Sequence, residues 1–559
     1  MQEKLLLKPC DIIVIGAGLA GIKAAYEAAL SGLSTRIIVK SRLCSGSSFY
    51  PKMDSLGCQC TSDDPMDEQY FFEEMEDSGL TMNSPSLTKV YVENIRERIG
   101  DFDKLGIPYH KLQDKKIACF AKRPRDIYVW GDWDGIRTNV RELFAAFPNV
   151  EILENTDVVG ILQQGGRVKG VLAVGSDGNL LRMSAKSVIL ATGGYGSIYE
   201  HSLNTSDVSG DGQMLAYNAG AKLINLEFIQ FIPGFLSPVY KIILREPMLL
   251  HCKGLPDADG RELLSEYLSS DQEIESCMQQ RSTHGPFTCR TAAKYFDIAI
   301  MEEILKSEET KGVQIKYEHS LYEDEREVVR MHLEWLREKY RIDPCRDKTF
   351  VAPFCHAANG GVKVDEHCST TVAGLFAAGE VAGGIHGADR HGGNATGSCI
   401  VFGTIAGRSA VAYAQGADIP PSPTEAEQEE YISTVYRGGT GELTPAQASA
   451  EVKRVMWRNG NIIRSETGLA TALEQVEQVE ANFDPMRYIA NPSQLKQAVN
   501  TVNTIRLAKL VLGAMRGRRE SRGSHYRTDY PALDHNYDNL RIEVTKQGNL
   551  ADYSLQERR

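Results

Sequence analysis

No cysteine arrangement in these 559 residues is suited to carrying electrons or metal. The chain has twelve cysteines but no CxxC pair and no CxxCH, and its closest pair is Cys58 and Cys60. An attached haem, an iron–sulfur cluster of the chain's own and a disulfide framework are therefore not expected. Cysteines scattered in or beside apolar runs, such as Cys119, Cys355 and Cys399, read as reduced thiols. No window reaches the ~18 apolar residues that a membrane helix needs. The apolar run in "MQEKLLLKPC" is too short for a secretory signal, so a cytoplasmic location is expected. There is no basic surplus either. With 62 Lys and Arg against 74 Asp and Glu, the net charge is −12, which argues against nucleic acid as a main partner. No internal repeat, low-complexity tract or metal-ligand spacing stands out.

What is present is a glycine-punctuated α/β pattern. "CDIIVIGAG" is a short β-branched run ending in glycines, "LAGIKAAYEAALSG" has helical periodicity, and "STRIIVKSR" is a second buried strand. Gly16, Gly18 and Gly21 fit GxGxxG, in which a tight turn brings backbone to a pyrophosphate at a helix N-terminus. One such motif is weak evidence. Two later strands, "SVILATGGYG" with Gly193 and "GLFAAGEVAGG" with Glu380, end the same way and converge on the same reading. Ahead of the first of them, alternation around Gly-Gly and Asp-Gly turns predicts an antiparallel insertion feeding that second glycine strand.

The second strand ends Lys40-Ser41-Arg42, without the acid that holds the ribose of NAD. That disfavours NAD but leaves FAD open, with Ser41 as a candidate ribose ligand. Asp211 and Glu380 sit at glycine turns, where each either accepts hydrogen bonds from sugar hydroxyls or caps the following helix. Residues 386–403, "HGADRHGGNATGSCIVFG", place Arg390 beside a Gly-Gly-Asn turn, as needed to hold a carboxylate or phosphate.

The combination of "DIIVIGAGLAG", "GSSFY", "ILATGGYGSIY", "GLFAAGEVAGGIHGADRHGGN", "VFGTIAG" and "RRESRGSHYRTDYP" resembles the flavoproteins of succinate dehydrogenase and fumarate reductase, with L-aspartate oxidase beside them. The resemblance covers nearly the whole chain. It implies an α/β fold: a Rossmann-like FAD-binding domain (1–235 and 346–420), an inserted α+β capping domain (236–345), and a C-terminal helical domain with a tail (421–559). It also implies FAD held through Gly16, Gly18, Gly21, Ser48, Gly193, Gly393 and Asn394. Ser47 stands where membrane-complex members carry the histidine bonded to FAD, so the cofactor is expected to be noncovalent.

By the same resemblance, Arg390 and His356 clamp a substrate carboxylate, while Arg290 is either the proton donor or a second clamp. The family's Thr-Glu pair falls near "MLLHCKG", leaving His251 or nothing in that role. A further carboxylate-binding histidine is replaced by Ile232. Burying a second carboxylate against isoleucine costs several kcal/mol, so a substrate with one carboxylate and a bulkier remainder is expected. The leading function is reduction of an activated C=C bond in an unsaturated carboxylic acid. The alternatives are succinate dehydrogenase or fumarate reductase proper, an amino-acid oxidase, and an electron-transfer component of a complex. With no second redox centre in the chain, a separate electron donor or iron–sulfur subunit is expected.

Overall fold

The computed structural model describes residues 4–558 except 115, 311 and 549. Its organising element is an eight-stranded sheet. The strand Cys10–Ile15, nearly all buried, runs parallel to Thr35–Ile38 on one side and to Leu180–Leu190 on the other. Apolar on both faces, such strands are stable only when covered on both sides. Val150–Leu153 extends the parallel part beyond Thr35–Ile38. Leu180–Leu190 is a long strand with two duties. Its first half pairs antiparallel with Arg167–Val174, and its second half pairs parallel with both Cys10–Ile15 and Leu375–Ala377. The three glycine-ended strands are thus neighbours, and their turns open at one edge. The helices Leu19–Leu30 and Asn394–Gln415 pack on each other over this sheet. Small residues make that approach possible: a side chain at Gly403 or Gly407 would strike Ala20 O or Ala24 O at 2.7 Å.

The inserted region is built on a second sheet, in the order Ile242–Ile243, Ile229–Ser237, Thr349–Ala358, Val313–Tyr317, Cys252–Gly254. The strands of this sheet lie between residues 229 and 358. Phe231 pairs with Cys355 and Gln230 with Ala357, so His356 is the extra residue of a β-bulge. Bulges re-aim a side chain away from the ladder.

Of the C-terminal helices 425–435, 445–459, 466–481 and 492–517, the last three pack on one another as a bundle. Thr424 and Thr444 start the first two with capping boxes, and Pro445 sits at the first helical position as expected. The tail is more than helical. Leu540–Gln547 and Leu550–Glu557 form a hairpin whose first strand pairs antiparallel with Leu223–Ile224 of the first domain. Among the described residues no helix is long and apolar enough to cross a membrane.

Candidate active site

A cavity of about 110 Å³ opens where the glycine strands end, lined by Gly16, Gly18, Lys40, Thr192, Gly193 and Asp211 among others. Gly16 has φ +102°, and a Cβ there would lie 2.3 Å from Ala191 O, so only glycine allows strand and turn to meet. Gly18 is different. Its backbone is ordinary, but a Cβ would point towards Ser45 O and Ser48 Oγ, both on the cavity wall. Gly18 caps the helix Leu19–Leu30, which has no side-chain cap and no acid in its first turn. Its N–H groups and positive dipole end are left for an anion. Two buried lining atoms, Thr192 Oγ1 and Asp207 Oδ1, have no protein partner. A glycine cradle, an uncapped helix start and orphaned hydroxyl and carboxylate oxygens fit a dinucleotide with ribose and ribityl hydroxyls.

At the far wall Lys40 Nζ meets Asp211 Oδ2 at 2.6 Å, with Asn500 and Ser209 also bound to the lysine. Burial would raise the Asp211 carboxyl, but Lys40 outweighs it and holds the group below its ordinary value. Asp211 is also bound by Asn503, so the cavity wall leans on the C-terminal bundle.

A second cavity of about 250 Å³ shares Ser47, Ser48, Glu380 and Cys399 with the first, so the two adjoin. Arg390, His356, Ile232, Arg245, Glu246 and Lys116 line it. Arg390 is only 7% exposed. Its Nε donates to Gln230 Oε1 at 3.1 Å and its Nη1 to His391 O at 3.0 Å. Among the described residues it has no ion-pair partner, and burial lowers its pKa accordingly. Gln230, Ile232 and His356 come from the two paired strands of the second sheet, the bulge freeing His356 from the ladder. Burial, then the Arg390 and Arg245 charges, pushes the His356 pKa down to about 3. Its imidazole is therefore neutral, a hydrogen-bonding group rather than a second cation.

Arg245 follows the short strand Ile242–Ile243 after Leu244 and caps a six-residue 3₁₀ helix, Glu246–His251, with Pro247 near its start. Arg245 is neutralised by an ion pair with the buried Asp54. Glu246 is paired with Lys116 at 3.2 Å. Burial opposes ionisation of Glu246, but Lys116 and Arg245 outweigh it and hold the carboxyl at about 2. Sequence reasoning missed this charged group. The signal was "ILREP", a charged pair directly after a buried run, whereas the family's acid is expected by resemblance at "MLLHCKG" instead.

Gly16, Gly18, Ser48, Gly193, Asp211 and Glu380 line the first cavity, and Arg390, His356 and Gly393 line the second. Gly21 lies behind the turn, where a Cβ would be 2.1 Å from Gly16 O. Asn394 is buried beside the second cavity, accepting from Gln59 at 2.9 Å. Three further expected residues, Ser41, His251 and Arg290, also lie outside both cavities. Ser41 donates to Asp207 Oδ2 at 2.9 Å, so it supports a lining residue instead of lining the cavity. His251 is held by Ser320 and Asp324, at 2.9 and 2.8 Å, because the helical turn Glu246–His251 carries it away from the cavity that Glu246 faces. Arg290 pairs with Asp77 at 3.2 Å in an outer chamber, because the loop before the helix Lys294–Leu305 is anchored elsewhere by Thr288 on Asp389.

Fold and cavities together define an FAD-dependent oxidoreductase with a second buried cavity against its cofactor cavity. Comparison with known proteins agrees. An FAD binding domain model matches residues 11–396, and a fumarate reductase flavoprotein C-terminal model matches 449–552. The chain belongs to the succinate dehydrogenase and fumarate reductase flavoprotein family. It is 30% identical to an uncharacterized FAD-dependent oxidoreductase of Methanocaldococcus jannaschii, covering 93% of this chain and 94% of that one. It is also 30% identical to a chain of the CoM/CoB fumarate reductase of Methanothermobacter marburgensis, over 94% of this chain and 95% of that one. The Mycobacterium smegmatis Sdh1 complex contains a chain that superimposes with a TM-score of 0.80 at 25% identity, covering 99% of this chain and 95% of that one.

Proposed function

We propose that the protein reduces the activated C=C bond of an unsaturated acid bearing one carboxylate. The observation that carries this is Arg390, a buried guanidinium with no carboxylate partner among the described residues, on a cavity that adjoins the cofactor cavity. A buried charge without a partner calls for a bound anion. When bound, FAD supplies hydride transfer at its N5. Arg390 would bind both oxygens of the carboxylate, with neutral His356 adding a hydrogen bond, and so orient the adjoining C=C bond. Ile232, Ile243 and Val129 make part of the remaining wall apolar. Glu246 is already ionised and has no proton to give. Lys116 is the only lysine among the lining residues and is a more accessible acid than a guanidinium, whose pKa exceeds ~12. We assign it the proton that completes reduction.

A second guanidinium, Arg245, favours a dicarboxylate such as fumarate as the alternative reading. Against it, Asp54 already neutralises that charge. Electrons would come from a separate donor protein, since the described residues hold no disulfide and no group of His, Cys, Asp and Glu able to hold a metal. The test is to photoreduce the purified flavoprotein without oxygen and add crotonate, cinnamate and fumarate separately. Flavin reoxidation by cinnamate or crotonate ahead of fumarate supports the reading. Reoxidation by fumarate alone, or by none of the three, sinks it.

A further inference from the structure

The inner cavity is open on the side of the inserted region. Leu112, Lys116, Ala118, Glu246 and Val328 line both it and a second chamber of about 840 Å³. The inner cavity alone falls short of the ~300–1,000 Å³ typical of pockets that enclose drug-sized ligands, and the outer chamber lies within that range. The wall chemistry of the outer chamber is specific. Ile117 and Leu250 lie on it 52% and 48% exposed, joined by Phe120 and Pro247. Its cations are satisfied internally, Arg290 by Asp77, Arg326 by Asp324 and Lys116 by Glu246, and its other charged groups, Asp114 and Glu327, are acids. Such a wall has nothing to attract a second carboxylate, and it gains from covering exposed apolar surface.

We propose that the outer chamber is a subsite for the uncharged, aryl or branched hydrocarbon end of an elongated substrate. The carboxylate is then at Arg390 and the reacting bond between the two, past the Lys116–Glu246 pair. Placing the carboxylate there rests on the function proposed above, but occupancy of the chamber is measurable without turnover.

Saturated acids bind without reacting, so the oxidised holoprotein is titrated with butyrate and with 3-phenylpropionate, following flavin absorbance. The wild type should bind 3-phenylpropionate at least about tenfold tighter, roughly 1.4 kcal/mol. Leu250→Asp and Ile117→Asp, both at exposed positions, should each shrink that preference to about threefold or less while leaving butyrate affinity and the thermal midpoint unchanged. Equal affinity for the two acids in the wild type overturns the subsite, as does a preference that survives both substitutions. Absence of any perturbation by either acid overturns subsite and carboxylate site together. Tight 3-phenylpropionate binding with no reoxidation of the reduced protein by cinnamate sinks the proposed reduction and leaves the subsite standing.

Discussion

Replacing Arg390 by methionine should separate binding from stability, because the two respond in different directions. The guanidinium is buried, gives one hydrogen bond to Gln230 and one to the His391 carbonyl, and has no carboxylate partner among the described residues. If it binds a substrate carboxylate with two charge-assisted hydrogen bonds, each is worth about 1.5–3 kcal/mol. Their loss should then weaken carboxylate binding by about 10²–10⁴-fold. The folded protein without ligand faces a different balance. Methionine removes an isolated buried charge, a relief of several kcal/mol. It also strands two acceptors at about 1–3 kcal/mol each. These offset, so the thermal midpoint should move by less than about 3 °C.

Arg281 provides the contrast. Its Nε lies 2.7 Å from Asp297 Oδ2 and both are fully buried, so Arg281→Met should cost about 3–5 kcal/mol by leaving a carboxylate unpaired. The assay is calorimetry of both variants beside the flavin-absorbance titration with 3-phenylpropionate. An Arg390→Met protein that melts as early as Arg281→Met yet binds the acid normally would show that the arginine is structural.

Lys116→Gln should lower the rate of C=C reduction by about 10²-fold while leaving 3-phenylpropionate affinity within about threefold, as expected for loss of a general acid. Gly18→Val should fold with a near-normal circular dichroism spectrum but purify without flavin, because the added side chain enters the cradle and not the protein core. With Ser47 at the attachment position, a denaturing gel should show no fluorescent protein band, and a fluorescent band would refute noncovalent binding. Acid should destabilise the protein early. Burial, with nearby arginines adding to it, holds His284 and His356 at about 3 and His391 at about 4, and puts His386 and His525 well below their ordinary value. Below pH 6.5 the unfolded chain binds protons that these folded imidazoles refuse, so stability falls as pH drops, by about 1.4 kcal/mol per pH unit for each fully titrating group. Asp389, raised by burial to about 7, works in the opposite sense, and Asp157, Glu227, Asp297 and Glu380, also raised by burial, share its sign where they titrate. A melting temperature unchanged from pH 7.5 to 5 would refute this balance.

The cofactor half of the molecule was legible because backbone conformation dictates it. Gly16 must be glycine, the strand beside it must be apolar on both faces, and both constraints write themselves locally into the sequence. Residues of the inner cavity come from distant segments: Asp54, Lys116, Arg245, Glu246, His356 and Arg390. Only His356 and Arg390 belong to motifs. His251 stood out in the sequence and Glu246 did not, because nothing local distinguishes which of them faces the cavity. At opposite ends of one six-residue 3₁₀ helix, they meet different surroundings, set by segments far away in the sequence: Lys116 beside Glu246, Ser320 and Asp324 beside His251. Arg290 illustrates the same limit, since its position follows from the Thr288–Asp389 hydrogen bond between segments 101 residues apart in sequence. The C-terminal hairpin was missed because its partner strand, Leu223–Ile224, is two residues long and lies over 300 residues earlier.

That late closure of the chain has a consequence for biogenesis. On the wall of the cofactor cavity, Asp211 accepts a hydrogen bond from Asn503, and Lys40 donates one to Asn500. At ~5–20 residues per second, a ribosome needs on the order of a minute to travel from the first glycine turn to those asparagines. Through that interval the pocket wall is unfinished, and the two strands that complete the glycine cradle, 180–190 and 375–377, are themselves made only part-way along. Cofactor loading therefore belongs after translation, and a chain stalled or cleaved before the last helix should be released empty.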